Sequence, residues 1–156
     1  MNRVAENLVE LLKARGLVCA TAESCTGGGV GSAITSVSGS SAVFAGGVIS
    51  YSNEVKRDVL GVSAEALERY GAVSPQVAAQ MADGARRLLK TDLAVSLTGI
   101  AGPDGGSDEK PVGLVWFGLA TKNGVRTEKA IFRGDRAKVR EQAVTHALGM
   151  LTIAAT

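Results

Sequence analysis

The chain has 156 residues, 46% of them apolar and 4% aromatic, with 20 glycines and a formal net charge of +2; that length suits one domain, residues 1–156. Its basic residues are scattered, which excludes the concentrated stripe of a nucleic-acid surface, and its two cysteines lack companions at ligand spacing, which excludes a zinc site or a disulfide framework. No apolar run reaches the ~18 residues of a membrane span, and the charges at Arg3, Glu6, Glu10 and Lys13 do not suit a signal peptide, so a cytoplasmic protein with no membrane partner is expected.

Val4, Leu8, Leu11 and Leu12 recur at helical spacing before Gly16, predicting a first helix over about 2–15. Leu17 to Thr21 reads as a short buried strand. The polar run E-S-C-T-G-G-G follows, and Val30, Ile34 and Val37 then mark a second helix. After a turn at Ser38 to Ser41, the stretch Ala42 to Tyr51 is rich in Val, Ile and aromatics and predicts a strand. Ser52 is placed to cap a short helix over Asn53 to Leu60, and Ser63 to Tyr70 predicts another, closed by Gly71. Ser74-Pro75 opens a longer helix through Val77, Met81, Ala85 and Leu88. Thr91 to Leu97 predicts a strand that runs into the glycine-rich loop T-G-I-A-G-P-D-G-G. Two further strands, Val112 to Thr121 and Val125 to Phe132, flank Lys122-Asn123-Gly124, a hairpin signal. Asp135 opens the last helix. Strands alternating with helices predict a three-layer α/β/α sandwich, and the hairpin makes its sheet of about five strands mixed, mostly parallel.

Three clusters could carry chemistry. A buried strand feeding a helix leaves backbone N–H groups for an anion or a developing oxyanion, and Ser24, Cys25 and Thr26 stand at that junction with Gly27 and Gly28. Ser24 or Thr26 equally suits a helix cap, and Cys25 an inert buried thiol. A nucleophilic serine needs a base. The single histidine, His146, sits among Ala143, Ala147 and Met150 on the last helix, an unpromising place. That leaves a lysine whose pKa is lowered by burial or a cationic neighbour, so that its neutral amine can take a proton. Lys56, one turn past Tyr51 at the mouth of a strand, is such a candidate, although a solvated lysine fits the same spacing. Thr98, Gly99, Ala101 and Gly102 form a glycine-rich nest at a strand end, where open α/β sheets bind ligands. It is neither a P-loop nor a dinucleotide fingerprint. Arg136 and Arg140, one turn apart, could clamp a phosphate or face solvent.

Together these motifs resemble the CinA C-terminal domain family. The matching strings are T-A-E-S-C-T-G-G, the segment Gly47 to Lys56 with Y-S-N-E-x-K, the segment Gly61 to Ser74, T-G-I-A-G-P-x-G-G, and F-x-G-D-R-x-x-V-R from Phe132 to Arg140. They cover nearly the whole chain in order. The resemblance implies a three-layer sandwich and an amidohydrolase that turns nicotinamide mononucleotide into nicotinic acid mononucleotide and ammonia, in pyridine-nucleotide salvage, with no metal or other cofactor. It implies Ser24 as nucleophile, Lys56 and Tyr51 as proton-handling partners, and Thr98 in the same site. Substrate-binding candidates are Cys25, Thr26, Gly27, Gly28, Thr98, Gly99, Ala101, Gly102, Arg136 and Arg140. Gly29 departs from relatives that carry a bulkier residue there. The alternative is a non-catalytic nucleotide-binding or competence/DNA-damage accessory domain of the same fold; a homodimer is also compatible with so small a domain.

Overall fold

The computed structural model describes residues 2–156. Helix α1 (Asn2–Arg15) buries Ala5, Leu8, Val9 and Leu12 and ends in a tight turn where the Leu17 amide donates to the Leu12 carbonyl at 3.0 Å. The first strand, β1 (Cys19–Glu23), starts and ends two residues later than the apolar run predicts. Val18 instead spends its amide on the Asp92 carboxylate. The strand continues through Glu23 because a charged side chain is tolerated in the interior when its oxygens are fully hydrogen-bonded, as they are here.

Helix α2 (Gly29–Thr35) follows, then a 3₁₀ turn over Ser40–Ala42, strand β2 (Phe44–Ile49), and the short helices α3 (Asn53–Asp58) and α4 (Ala64–Tyr70). Helix α5 (Pro75–Leu89), strand β3 (Leu93–Gly99), strands β4 (Leu114–Thr121) and β5 (Gly124–Ile131), and helix α6 (Arg136–Ala155) complete the chain. The side chains of Ser52, Ser63, Ser74 and Asp135 accept from amides three residues on, so each short polar residue before an apolar run starts a helix. The hairpin places Thr121 opposite Gly124, so Lys122 and Asn123 alone make the turn.

The sheet order is β2-β1-β3-β4-β5. β1 pairs in parallel with β2 and β3, while β3–β4 and β4–β5 are antiparallel, giving the expected mixed sheet. Helices cover both faces. On one, α1, α2 and α6 enclose Val95, Leu97, Val115, Phe117 and Leu119. On the other, α5 lies on the small side chains Ala20, Ala22, Ala94 and Ala120. Its backbone comes so close that a Cβ at Gly118 would stand 2.4 Å from the Ala78 carbonyl oxygen. The α6 face shows the same economy. A Cβ on Gly29 would meet Val144 at 2.8 Å, so glycine at this position fits α2 to α6 and does not loosen the helix start. Among the described residues no helix is long and apolar enough to cross a membrane.

β1 leads to β2 on one side, and the chain returns to β3 on the other. The crevice between the C-terminal ends of β1 and β3 is therefore a switch point of the sheet, the usual ligand position in open α/β folds.

Candidate active site

Ser24 is the first residue past β1, and its amide donates to the Leu97 carbonyl of β3 at 3.1 Å, fixing it in that crevice. Lys56, on α3 and 1% exposed, reaches back so that its Nζ stands 3.0 Å from Ser24 Oγ. The same Nζ donates to the carbonyls of Ser50 at 2.8 Å and Tyr51 at 3.2 Å. No carboxylate pairs with Lys56 among the described residues. Burial therefore lowers its pKa from the ordinary 10.5, only partly offset by the nearby Cys25 thiol.

These partners fix more than a distance. A neutral amine has two N–H bonds and one lone pair. With two carbonyls taking hydrogens, loss of the third proton, the one Nζ donates to Ser24 Oγ, would leave a lone pair facing the Ser24 hydroxyl. The buried Ser50 joins the two halves, because its amide and hydroxyl both donate to the Glu23 carbonyl while its own carbonyl receives Lys56.

The cleft around this pair has a volume of about 220 Å³ and is lined by Ser24, Cys25, Tyr51, Asn53, Lys56, Ala72, Val73, Thr98, Gly99, Ala101 and Arg136. A larger hollow of about 400 Å³ lies far from it, between the hairpin and the end of α6. It carries none of the groups just described.

Cys25, Thr98, Gly99, Ala101 and Arg136 thus border the cleft with Ser24, Tyr51 and Lys56. Thr98 has its hydroxyl engaged, donating to the Ala72 carbonyl at 3.0 Å. Tyr51 is 63% exposed, and its hydroxyl accepts from Arg136 Nη2 at 3.3 Å. Its link to Lys56 runs through the main-chain carbonyl, so the phenol sits on the rim and not in the proton path. Thr26, Gly27, Gly28, Gly102 and Arg140 do not line the cleft. Thr26 turns inward to Glu23, Gly27 packs near the Arg140 guanidinium, and Gly28 (φ 101°) packs on Ile49. Gly102 offers its carbonyl to Arg136 at 2.9 Å. Arg140 donates to the carbonyls of Cys25 at 3.1 Å and Thr26 at 3.2 Å, so it holds the loop from behind.

The start of α2 is a further difference from expectation. Its amides at Val30 and Gly31 are not open to an oxyanion, because the Glu23 carboxylate accepts both, at 2.8 and 3.0 Å. The Cys25 thiol is raised by burial to about 11, so it is held as a neutral thiol. His146 is remote, stacked 4.3 Å from the Phe117 ring and bonded to Glu128 at 2.7 Å.

Sequence reasoning missed Glu23, Ser50, Asn53, Ala72 and Val73. Asn53 carried a signal, standing beside Tyr51 in the same motif. The roles of Ser50 and Glu23 depend on strand pairing, which no local spacing reveals.

The fold and this cleft define a class: an α/β/α sandwich with a buried serine–lysine pair at the switch point of its sheet. Within that class the chain belongs to the CinA C-terminal domain family, which matches residues 1–154. It is 51% identical over 150 residues to a protein of Escherichia coli K12 named nicotinamide-nucleotide amidohydrolase PncC, covering 96% of this chain and 91% of that one. It is 56% identical over 136 residues to a putative competence-damage inducible protein of Halothermothrix orenii, covering 86% of this chain but only 33% of that longer one. The crystal structure of the competence/damage inducible protein CihA from Agrobacterium tumefaciens superposes with a TM-score of 0.95 at 45% identity, covering 99% of this chain and 94% of that one.

Proposed function

We propose that this protein is a serine amidase that hydrolyses the carboxamide of nicotinamide mononucleotide to nicotinic acid mononucleotide and ammonia. The observation that carries the chemistry is the 3.0 Å contact from Lys56 Nζ to Ser24 Oγ, made by a lysine whose other partners are two carbonyls. The substrate assignment is supported by the relative named for that nucleotide, which shares nearly the whole chain.

Neutral Lys56 accepts the Ser24 proton as Oγ attacks the carboxamide carbon. The collapsing intermediate takes that proton on nitrogen, ammonia leaves, and an ester to Ser24 remains. Water then attacks the ester with Lys56 again as base, releasing the acid and regenerating the hydroxyl. A positioned base is worth about 10²–10⁴-fold. With the first amides of α2 occupied by Glu23, the amide of Cys25, next to the nucleophile and free of any backbone carbonyl, is the nearest oxyanion donor. The pyridinium charge of the substrate already draws electrons from the carboxamide.

A cleft of about 220 Å³ is smaller than the roughly 300–1,000 Å³ of sites that engulf a drug-sized ligand. It accommodates the pyridine ring and leaves ribose and phosphate at the rim, where Arg136, Tyr51 and Asn53 stand. The buried free thiols Cys19 and Cys25 suit the reducing cytoplasm, where such a nucleotide is met.

The test is ammonia release from nicotinamide mononucleotide by wild type and by Ser24→Ala. Release by wild type, lost in a variant that keeps its circular dichroism, is expected. A variant that retains full activity would refute the serine mechanism, and a folded wild type that releases none would favour a binding domain.

A further inference from the structure

We propose that Glu23 and Arg140 are positioning residues that clamp the nucleophile loop from opposite sides and thereby set the reactivity of Ser24; the proposal rests on the serine amidase reading above. Glu23 is 2% exposed, and its carboxylate forms no ion pair among the described residues. All its partners are neutral: the Thr26 hydroxyl at 2.7 Å and the amides of Val30 and Gly31. A buried carboxylate without a cation is costly even when well hydrogen-bonded, and an apolar residue on this strand would fill the same space more cheaply. What the carboxylate adds is a fixed geometry. It binds the loop to the first turn of α2, whose amides at Val30 and Gly31 it accepts.

Arg140 acts from the other side. Its Nε and Nη2 hold the carbonyls of Cys25 and Thr26. Thr26 is therefore gripped twice, by its hydroxyl from Glu23 and by its carbonyl from Arg140. In a planar trans peptide the N–H points opposite to the C=O. Drawing the Cys25 and Thr26 carbonyls toward α6 thus turns the amides of Thr26 and Gly27 away from it. The Gly27 amide accordingly donates to the Ser24 carbonyl at 3.1 Å, closing the loop around the nucleophile. Glu23 also ties this loop to the base, since its main-chain carbonyl receives Ser50, whose carbonyl receives Lys56. Releasing either grip frees Ser24 to move relative to both the Lys56 lone pair and the Cys25 amide, and a misplacement of about 1 Å costs on the order of 10²-fold.

Arg136 and Arg140, one turn apart on α6, therefore divide their work: the first borders the cleft and the second aims the nucleophile.

The experiment compares wild type with Glu23→Gln, Arg140→Gln and Arg140→Lys. Three readouts are needed: kcat and KM for ammonia release from nicotinamide mononucleotide, the rate at which a fluorophosphonate probe phosphonylates Ser24 with loss of fluoride, and the melting temperature. The expected result is a fall in kcat of about 10–100-fold with KM within about threefold. The probe rate should fall in parallel at temperatures where the variants remain folded. Arg140→Lys, at an exposed position of α6, should recover only part of the loss, because an ammonium cannot reproduce the two-pronged grip.

Variants that melt earlier but keep wild-type kcat and probe rate would overturn the proposal and leave a merely structural role. A rise in KM at unchanged kcat would overturn it as well, placing these residues against the substrate. The probe separates this idea from the substrate assignment. If wild type releases no ammonia but labels at Ser24, and the variants label slowly, the nucleotide reading falls and the clamp stands. If wild-type Ser24 does not label, both fall.

Discussion

The floor and the rim of the cleft are built on opposite principles. Lys56 at the floor and Glu23 behind it are charged residue types sealed from water, 1% and 2% exposed, each satisfied by neutral partners. At the rim, Tyr51 and Arg136 touch each other through one 3.3 Å contact and remain open to solvent. Burial at the floor lowers the Lys56 pKa. Exposure at the rim leaves the Arg136 guanidinium within reach of an incoming anion. The floor should therefore govern turnover and the rim affinity, with Lys56→Met the sharpest way to break that division.

Removing the base should lower kcat by about 10²–10⁴-fold, with KM little changed, measured by ammonia release. The same variant should be more stable. The lysine pKa is lower in the folded state than its ordinary 10.5, because burial disfavours the charged form. The unfolded chain therefore binds more protons between the two values, and wild-type stability rises with pH across that window. Below the folded pKa, the buried ammonium carries its full desolvation penalty. Replacing it by methionine should raise the melting temperature most at pH 6, each kcal/mol of relief showing as about 2–4 °C, and progressively less as pH approaches 10.5. For wild type, kcat/KM should climb with pH along a limb centred below 10.5. A melting temperature lowered at pH 6 would mean that the lysine is not held against its solvation preference.

At the rim, Arg136→Gln should raise KM for the nucleotide by about 10–100-fold, the range expected from losing hydrogen bonds to a charged group. The phosphate-free nucleoside, nicotinamide riboside, should be turned over equally by both proteins. An equal loss on both substrates would place Arg136 in the catalytic floor. It also supports the loop through the Gly102 carbonyl, so the riboside control separates that contact from phosphate recognition.

How much of this was legible beforehand follows the range of the interactions. Ser52, Ser63, Ser74 and Asp135 each start a helix through a contact three residues away, and all four helix starts are readable from the chain. The residue-by-residue reading named Ser24 and Lys56 but left each against a bland rival, a cap and a solvated lysine. What separates these readings is the parallel pairing of β1 with β2 and β3, a contact over 32 positions in the case of Lys56 and Ser24. The end of β1 was missed because Glu23 looks like the start of a polar turn, whereas the folded chain satisfies it from α2. The two arginines share one helix and one motif. Only the position of α6 above the nucleophile loop decides that Arg140 meets carbonyls and Arg136 the cleft.

The smallest expected effect tests the floor from within. Ser24 and Cys25 are adjacent and both border the cleft, and in free solution the thiol would be the better nucleophile. The fold inverts that order. Burial raises the thiol to about 11, while the serine hydroxyl stands 3.0 Å from a lysine amine whose pKa burial lowers. At pH 7.5 the thiol thus carries far less thiolate than an ordinary cysteine. Iodoacetamide at pH 7.5 should therefore leave Cys25 unmodified and activity unchanged over a period that fully alkylates the unfolded chain, with peptide mass spectrometry as the readout. Rapid alkylation with parallel loss of ammonia release would make the thiol, not the hydroxyl, the reactive group of this cleft.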